Sequence, residues 1–225
     1  MMVQIPGLLS PPLLEKIHEI LADAEFVDGK LTAGMAAKRV KRNLEMKKEP
    51  RRQELLVRIL MASLAHNDTF KGAVFPHRMA DPIFARYEPG MTYGDHVDDP
   101  IMGGSGGGLF RSDVSMTVFL NDPTSYEGGE LVVRTAFGTQ KVKLAAGDAV
   151  VYPSSSLHHV AEVTRGQRIV ALFWIQSHVR DPAQRELLFE LNQAREQLLR
   201  DAPGAPSTAI IDKSFANLVR MWSEV

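Results

Sequence analysis

Between residues 82 and 176 the chain consists of short segments rich in β-branched and aromatic residues, separated by turn residues. Turn residues such as Gly128-Gly129 and Gly147-Asp148 stand between neighbouring segments. Several short strands at this spacing are typical of an all-β sandwich or barrel, since βαβ units would need helices between the strands. The candidate strands cover residues 83–87, 115–120, 130–133, 140–144, 148–153, 158–163 and 168–175.

Helical patterns precede this β-rich region. Ser10, followed by Pro11 and Pro12, predicts an N-cap with proline in the first turn, and apolar residues then recur at helical spacing. A second amphipathic helix is predicted over Gln53 to His66. We expect residues 1–80 to form an N-terminal helical support region whose helices pack on the β-rich core.

The pattern returns to helix after Gln176. Asp181-Pro182 predicts an N-cap followed by proline at the first helical position. Residues 201–208 are predicted to be a linker, and a last short helix is expected from about Asp212 to Trp222. A β core over residues 81–178 would therefore be followed by a C-terminal helical extension over residues 179–225.

Composition restricts the chemistry that is open to this chain. Its 225 residues include no cysteine, which excludes disulfides, thiol nucleophiles and cysteine-ligated metal sites. Any metal must be held by nitrogen and oxygen atoms. The formal net charge of -1 predicts neither a nucleic-acid partner nor a membrane surface. The basic stretch from Lys38 to Arg52 is expected to be solvated surface, with a nucleic-acid patch as the alternative.

The N-terminal residues do not have the pattern of a secretory signal. They lack a basic segment, and Pro6, Pro11 and Pro12 interrupt the apolar run. No apolar run approaches the length needed to span a bilayer. We therefore expect a cytoplasmic protein.

A candidate metal site lies in the segment YEPGMTYGDHVDD, residues 87–99. In extended backbone, side chains two residues apart point to the same side, so His96 and Asp98 can converge on one point. A histidine from another strand would complete a facial triad of two histidines and one carboxylate, the ligand set typical of non-haem iron(II) oxygenases. A His-x-Asp pair also occurs by chance, so a surface pair remains the alternative.

His158 and His159 compete for the third ligand position because neighbours on a strand face opposite sides. A three-residue hairpin loop with Gly166 in the left-handed conformation would place His158 on the same face as Arg168. A two-residue loop would select His159 instead. We favour His158 and expect His159 to be a surface or supporting residue.

Arg168 opens the most hydrophobic candidate strand. A buried guanidinium needs a partner, because an unpaired buried charge is costly. A dicarboxylate cosubstrate would supply one through a bidentate pair, and an internal ion pair with an acidic residue is the alternative. The glycine-rich segment 102–110 matches no phosphate-binding pattern, so it is either a substrate-gating loop or a plain connection.

With these residues placed, the chain resembles bacterial PKHD-type hydroxylases, within the prolyl-4-hydroxylase-like branch of the iron(II)/2-oxoglutarate dioxygenases. The resemblance extends over almost the whole chain. It is carried by RYEPGMTYGDHVDDPIMG, RSDVSMTVFLNDPTSYEGGELVV and LAAGDAVVYPSSSLHHVAEVTRGQRIVALFWIQSHVRD. It implies a mainly β fold with flanking helices, in which a double-stranded β-helix (jelly roll) forms the core.

The resemblance also implies a function for each candidate residue. His96, Asp98 and His158 would be both the catalytic residues and the metal ligands for Fe(2+), and Arg168, with Tyr87, would bind 2-oxoglutarate. L-ascorbate would be a further requirement. Because Asp98 retains the carboxylate that related halogenases lack, the implied reaction is hydroxylation, with release of succinate and CO2.

Three alternatives to a hydroxylase stay open at this stage. One is a cupin-like metal enzyme that takes no 2-oxoglutarate, and another is a module that senses iron or 2-oxoglutarate without turnover. The third is a non-catalytic β-sandwich in which the histidines are structural. The expected partners are 2-oxoglutarate, O2 and an unidentified substrate, which is either a protein residue or a small metabolite. We expect residues 27–50 and the glycine-rich loop to determine specificity, and the leucine-rich tail permits a homodimer.

Overall fold

The computed structural model describes residues 1–35, 37–103 and 108–225. Most of the predicted gating loop at residues 103–108 therefore lies outside the described residues. The helices are α1 (Pro11–Ala22), α2 (Pro50–Ala65), α3 (Asp68–Val74), α4 (Pro182–Asp201) and α5 (Pro206–Trp222).

Short strands make up the rest of the regular structure. Those of the first half are β1 (Val3–Ile5), β2 (Phe26–Asp28), β3 (Lys41–Arg42), β4 (Leu44–Met46), β5 (Pro76–Met79), β6 (Ile83–Tyr87), β7 (Thr92–His96), β8 (Ile101–Gly103) and β9 (Leu109–Arg111). Those of the second half are β10 (Val114–Phe119), β11 (Glu127–Gly128), β12 (Leu131–Thr135), β13 (Gly138–Val142), β14 (Ala149–Pro153), β15 (His158–Val160), β16 (Val163–Arg165) and β17 (Arg168–Ser177).

Two antiparallel sheets hold most of these strands. The larger sheet has the order β1-β14-β10-β17-β6-β4-β2, and β5 also pairs with β17. The smaller sheet has the order β13-β12-β15-β7-β3. Two further pairs, β8 with β9 and β11 with β16, are short ribbons.

The larger sheet is covered on both faces. Helices α1 to α3 pack on one face, where Met116, Val118 and Phe173 join the helix residues Ile17 and Leu60 in one cluster. The smaller sheet covers the other face through a second cluster that includes Val150, Val160 and Val170. Every residue of β10 is buried for this reason. Its side facing the helices is apolar, whereas the side facing the smaller sheet carries Ser115 and Thr117 beside Phe119.

Most predicted strands of the β core are present, with ends shifted by a few residues. The single strand predicted over 158–163 is wrong, because this segment divides into β15 and β16, which pair in different sheets. The N-terminal region differs from a purely helical support, because residues 1–80 also contribute β1, β2, β4 and β5 to the larger sheet and β3 to the smaller one. These strands are two to four residues long, too short for a period-2 pattern to stand out.

The C-terminal extension begins with the predicted cap. Asp181 accepts hydrogen bonds from the backbone N–H groups of Ala183 and Gln184 at the start of α4. The predicted linker over 201–208 is too long, since α5 already begins at Pro206. Proline suits the first helical position, where no N–H donor is required, so Pro206 starts this helix and does not precede it.

Candidate metal centre

The two histidines of the candidate triad face each other across neighbouring strands. His96 is the last residue of β7 and His158 the first of β15, and the antiparallel register pairs them directly. Their ring centroids are 4.2 Å apart. Asp98 follows β7 by two residues, as the spacing argument requires for convergence with His96.

The three candidate ligand atoms surround a common point. The Nε2 atoms of His96 and His158 each lie 3.9 Å from Oδ1 of Asp98. All three ligand atoms are within 4.8 Å of one another, and no other cluster of this kind occurs among the described residues. Two imidazole nitrogens and one carboxylate oxygen on one side of a point form the facial set that iron(II) accepts while other coordination positions stay open.

Backbone carbonyls orient both imidazoles. Nδ1 of His96 donates to the carbonyl oxygen of Gly94 at 2.8 Å, and Nδ1 of His158 donates to that of Ser156 at 3.0 Å. With the proton on Nδ1, the lone pair of each Nε2 points toward the shared centre. Burial, together with the nearby charge of His158, lowers the pKa of His96 to about 4, so this imidazole is neutral at pH 7.

Two serines orient the carboxylate. Oγ of Ser115, on β10, donates to Oδ2 of Asp98, and Oγ of Ser154 lies 2.8 Å from Oγ of Ser115. Oδ2 is thereby engaged, and Oδ1 is left facing the two imidazoles. Neither serine was predicted from the sequence to belong to the site. A serine inside the apolar strand 114–119 was the available signal, because a buried hydroxyl requires a partner.

Arg168 lies at the start of β17, on the face that also presents Leu172 and Trp174 to the space between the sheets. Only 1% of its surface is exposed. None of its three guanidinium nitrogens has a hydrogen-bond partner within the described parts of the chain. The internal ion pair that was the alternative from sequence is not found there.

One cavity is lined both by Arg168 and by all three residues of the triad. Tyr87 and Arg168 line one end, and His96, Asp98 and His158 line the other. The Arg168 guanidinium carbon lies 5.1 Å from the centre of the Tyr87 ring, in a cation–π contact. Burial raises the pKa of Tyr87 to about 12, so its hydroxyl stays protonated.

A second cavity adjoins the first. Both have Tyr87, Asp98 and Trp174 in their walls, and the second also includes Thr32 and Lys41. The second cavity therefore borders the candidate ligand Asp98 as well as the segment around the start of β3.

Lys41 is a second buried cation near the site, but it is paired. Its Nζ lies 2.5 Å from Oε1 of Glu45, and the other carboxylate oxygen of Glu45 accepts a hydrogen bond from Thr32 at 2.6 Å. The fold thus neutralises the buried charge of Lys41, whereas it leaves that of Arg168 without a partner in the described structure.

The choice of His158 over His159 agrees with its place in the cluster, but the hairpin used to reach it is wrong. Gly166 does have the left-handed conformation, with φ of 71°. However, β16 pairs with β11, and no pairing of β16 with β17 occurs in the described residues. The chain crosses between sheets at this point. His159 points away from the cluster, and its Nδ1 is 2.9 Å from Oδ1 of Asp95.

Comparison with known proteins agrees with this geometry. Residues 82–176 match the 2OG-Fe(II) oxygenase superfamily, and residues 182–224 match the PKHD-type hydroxylase C-terminal domain. A PKHD-type hydroxylase of Thioalkalivibrio sulfidiphilus is 51% identical over 225 residues, which cover 100% of both chains. The chain belongs to the PKHD-type hydroxylase family. It is accordingly an iron(II)- and 2-oxoglutarate-dependent dioxygenase, for which 2-oxoglutarate and O2 are cosubstrates.

Solved structures share the fold of this PKHD-type hydroxylase. A Pseudomonas putida prolyl-4-hydroxylase superposes with a TM-score of 0.53 at 20% identity, covering 78% of this chain and 92% of that one. HygX of Streptomyces hygroscopicus, solved with nickel, 2-oxoglutarate and hygromycin B, gives 0.54 at 16% identity and covers 76% and 81%. The predicted jelly-roll core with flanking helices is confirmed.

None of the helices in the described residues of this PKHD-type hydroxylase has the length and apolar character needed to cross a membrane.

Proposed function

We propose that His96, Asp98 and His158 hold the iron(II) of this PKHD-type hydroxylase, and that Arg168 together with Tyr87 binds 2-oxoglutarate. The buried, unpartnered guanidinium of Arg168 carries this proposal. An isolated charge is costly in a low-dielectric interior, so the site is completed when an anion binds. The triad at the other end of the same cavity supports a ligand that bridges the two ends.

A 2-oxo dicarboxylate has the chemistry for both ends. Its distal carboxylate would pair with the planar guanidinium of Arg168 through parallel hydrogen bonds, and its 2-oxo acid group would lie toward the triad. The Tyr87 ring packs against the guanidinium and restricts its orientation. The pairing of Lys41 with Glu45 supports a ligand as the partner of Arg168. The protein supplies its own carboxylate for the buried charge of Lys41 and supplies none for that of Arg168 in the described residues.

Bound iron(II) supplies the oxidising chemistry, in which O2 is consumed, 2-oxoglutarate is converted to succinate and CO2, and a hydroxyl group is added to the substrate. The three ligands leave the remaining coordination positions free for cosubstrates. Leu131, Val160 and Leu172 give the cavity apolar walls that exclude bulk water. Asp98 occupies the carboxylate position of the triad, which supports hydroxylation over halogenation.

The adjoining cavity is the proposed route for the substrate. It borders Asp98 and includes Thr32 and Lys41, which lie within residues 27–50. This supports the expectation that this segment determines specificity. The substrate itself is a protein residue or a small metabolite, and both classes enter the experiment below.

Several finer features remain proposals. We propose that L-ascorbate keeps the iron in its ferrous state between turnovers.

The matches over 82–176 and 182–224 support a division into a β core at 81–178, an extension at 179–225 and a support region at 1–80. The homodimer and the cytoplasmic location stay predictions, as do the expected absences of nucleic-acid and membrane partners.

Incubation with ¹⁸O₂ tests this proposal. The iron-loaded protein is mixed with 2-oxoglutarate, ascorbate and a cell extract that has been divided by ultrafiltration into protein and small-molecule fractions. We expect one labelled oxygen atom in succinate. We also expect a substrate in one of the two fractions to gain one labelled hydroxyl group. Arg168→Ala should abolish both signals.

Two results would contradict the proposal. Oxygen uptake that does not depend on 2-oxoglutarate would indicate the cupin-like alternative. Binding of 2-oxoglutarate without succinate formation in either fraction would indicate a sensing module.

A further inference from the structure

Tyr126 is a buried tyrosine that the proposed site does not yet use. It lies between the 3-10 turn Pro123–Ser125 and β11, and only 2% of its surface is exposed. Its hydroxyl oxygen is fully enclosed and has no hydrogen-bond partner in the described portions of the chain. A buried unpaired hydroxyl is unfavourable, so the Tyr126 hydroxyl needs a hydrogen-bond partner.

The position of Gly129 fixes the Tyr126 ring beside Arg168. A Cβ atom added at Gly129 would lie 3.0 Å from Cδ of Arg168 and 3.1 Å from Cε2 of Tyr126. The arginine stem and the hydroxyl-bearing edge of the ring therefore both border Gly129 and lie within about 6 Å of each other. Cδ is bonded to Nε, and Cε2 is next to the carbon that bears the hydroxyl. Gly129 also has φ of 67°, a conformation that disfavours any side chain there.

The Tyr126 ring is held from its other side. Nζ of Lys143 lies 4.0 Å from the ring centre and donates to the backbone carbonyl of Tyr126 at 2.8 Å. Burial raises the pKa of the Tyr126 hydroxyl, whereas the charge of Arg168 and the close approach of its guanidinium to the hydroxyl, which falls short of a well-formed hydrogen bond, act in the opposite direction. The hydroxyl is therefore protonated at neutral pH and can act as a hydrogen-bond donor.

Tyr126 and Tyr87 contact Arg168 in different ways. Tyr87 presents its ring face to the guanidinium, at 5.1 Å from the ring centre. Tyr126 contributes a hydroxyl that, like the three guanidinium nitrogens, lacks a partner. One carboxylate has two oxygens that together accept several hydrogen bonds, so a single anion can satisfy this donor group.

We propose that Tyr126 is a second 2-oxoglutarate-binding residue, whose hydroxyl donates to the same distal carboxylate that Arg168 binds. This inference rests on the proposed function of Arg168. It extends that function by assigning to the cosubstrate a residue which the sequence motifs did not indicate.

Calorimetric titration of the nickel(II)-loaded protein tests the inference without turnover. The wild type and Tyr126→Phe are titrated with 2-oxoglutarate and with 2-oxopentanoate, which has the same chain but no distal carboxylate. Tyr126→Phe should lower the affinity for 2-oxoglutarate about tenfold, the usual effect of losing a hydrogen bond to a charged group. The affinity for 2-oxopentanoate and the affinity for nickel should stay unchanged, and the melting temperature without ligand should not fall, because the hydroxyl that is removed is unpaired there.

Thr208→Val is the matched control, because it removes a buried hydroxyl that donates to the backbone carbonyl of Ala202 in the C-terminal extension. It should leave the affinity for 2-oxoglutarate unchanged. Equal 2-oxoglutarate affinity in Tyr126→Phe and the wild type would overturn the inference. An equal loss for both oxo acids would also overturn it, because that pattern indicates a structural role. Failure of the proposed function would appear differently, as a wild type that does not prefer 2-oxoglutarate over 2-oxopentanoate.

Discussion

The two ends of the central cavity are built in opposite ways. At the metal end, the atoms that do not face the centre already have partners: both Nδ1 atoms donate to backbone carbonyls, and Oδ2 of Asp98 accepts from Ser115. At the far end, the guanidinium of Arg168 has no partner in the described residues, and neither has the hydroxyl of Tyr126, which we propose to act with it. The metal end is thus oriented before any ligand binds, whereas the far end is completed by the ligand.

This difference has a physical reason. Metal ligands must be deprotonated and aimed within narrow limits, which requires hydrogen bonds on the side away from the metal. A carboxylate-binding site instead selects its ligand through hydrogen-bond donors that have no partner in the free protein. A ligand that lacks the carboxylate leaves these donors unpaired and binds weakly. Damage to the metal end should therefore affect all ligands, and damage at the far end should affect 2-oxoglutarate selectively.

Loss of a metal ligand should have the largest effect. In His158→Ala, we expect iron(II) affinity to fall by more than about a thousandfold, since one of three ligands is removed. This loss is larger than the loss that follows when only a hydrogen bond to a ligand is removed. 2-Oxoglutarate-dependent succinate formation should disappear with it. Iron content after dialysis against a metal buffer measures the effect.

His159→Ala is the control for this experiment. Its side chain points away from the cluster toward Asp95, so iron affinity should stay within about twofold of the wild type. A large loss of iron in His159→Ala with iron retained in His158→Ala would reverse the assignment.

Replacement of Arg168 by methionine should separate the two ends. We expect 2-oxoglutarate affinity to fall by about 3 kcal/mol, roughly 150-fold, with iron affinity unchanged. The free energy of unfolding without ligand should rise by about 1 kcal/mol or more, since an unpaired buried charge is removed. Denaturant unfolding and 2-oxoglutarate titration measure the two quantities.

Lys41→Met should change the free energy of unfolding in the opposite direction, which makes it a direct comparison for Arg168→Met. It leaves the carboxylate of Glu45 buried and unpaired, which should lower the free energy of unfolding by about 3 kcal/mol or more. If Arg168→Met destabilised the protein as strongly as Lys41→Met, Arg168 would have a structural partner and the two-end distinction would be wrong.

The smallest effect is expected from the serine that orients Asp98. Ser115→Ala should weaken iron(II) binding by about tenfold, because Oδ2 loses its donor and the carboxylate can rotate. Ser115→Thr, which keeps the hydroxyl, should restore much of the affinity. Ser154→Ala should have a weaker effect, since Ser154 contacts Ser115 and not the carboxylate. An iron affinity of Ser115→Ala equal to that of the wild type would show that the metal end is not oriented in this way.

The sequence alone predicted the residues whose patterns are local. The core strands follow from apolar runs between glycines, and His96 and Asp98 are linked by a two-residue spacing. The short strands β2 to β4 were missed because two or three residues carry no periodic signal. Ser154 and Tyr126 were missed because their relevance depends on side chains 39 or more residues distant in sequence, which only the sheet pairing brings close.

Anaerobic titration of 2-oxoglutarate into the iron(II)-loaded protein tests the two-ended site most directly. A visible metal-to-ligand charge-transfer band should appear and saturate in the wild type. It should be absent in His158→Ala, where iron is lost, and in Arg168→Ala, where iron remains bound, at the 2-oxoglutarate concentration that saturates the wild type. Iron binding without any band in the wild type would contradict the account.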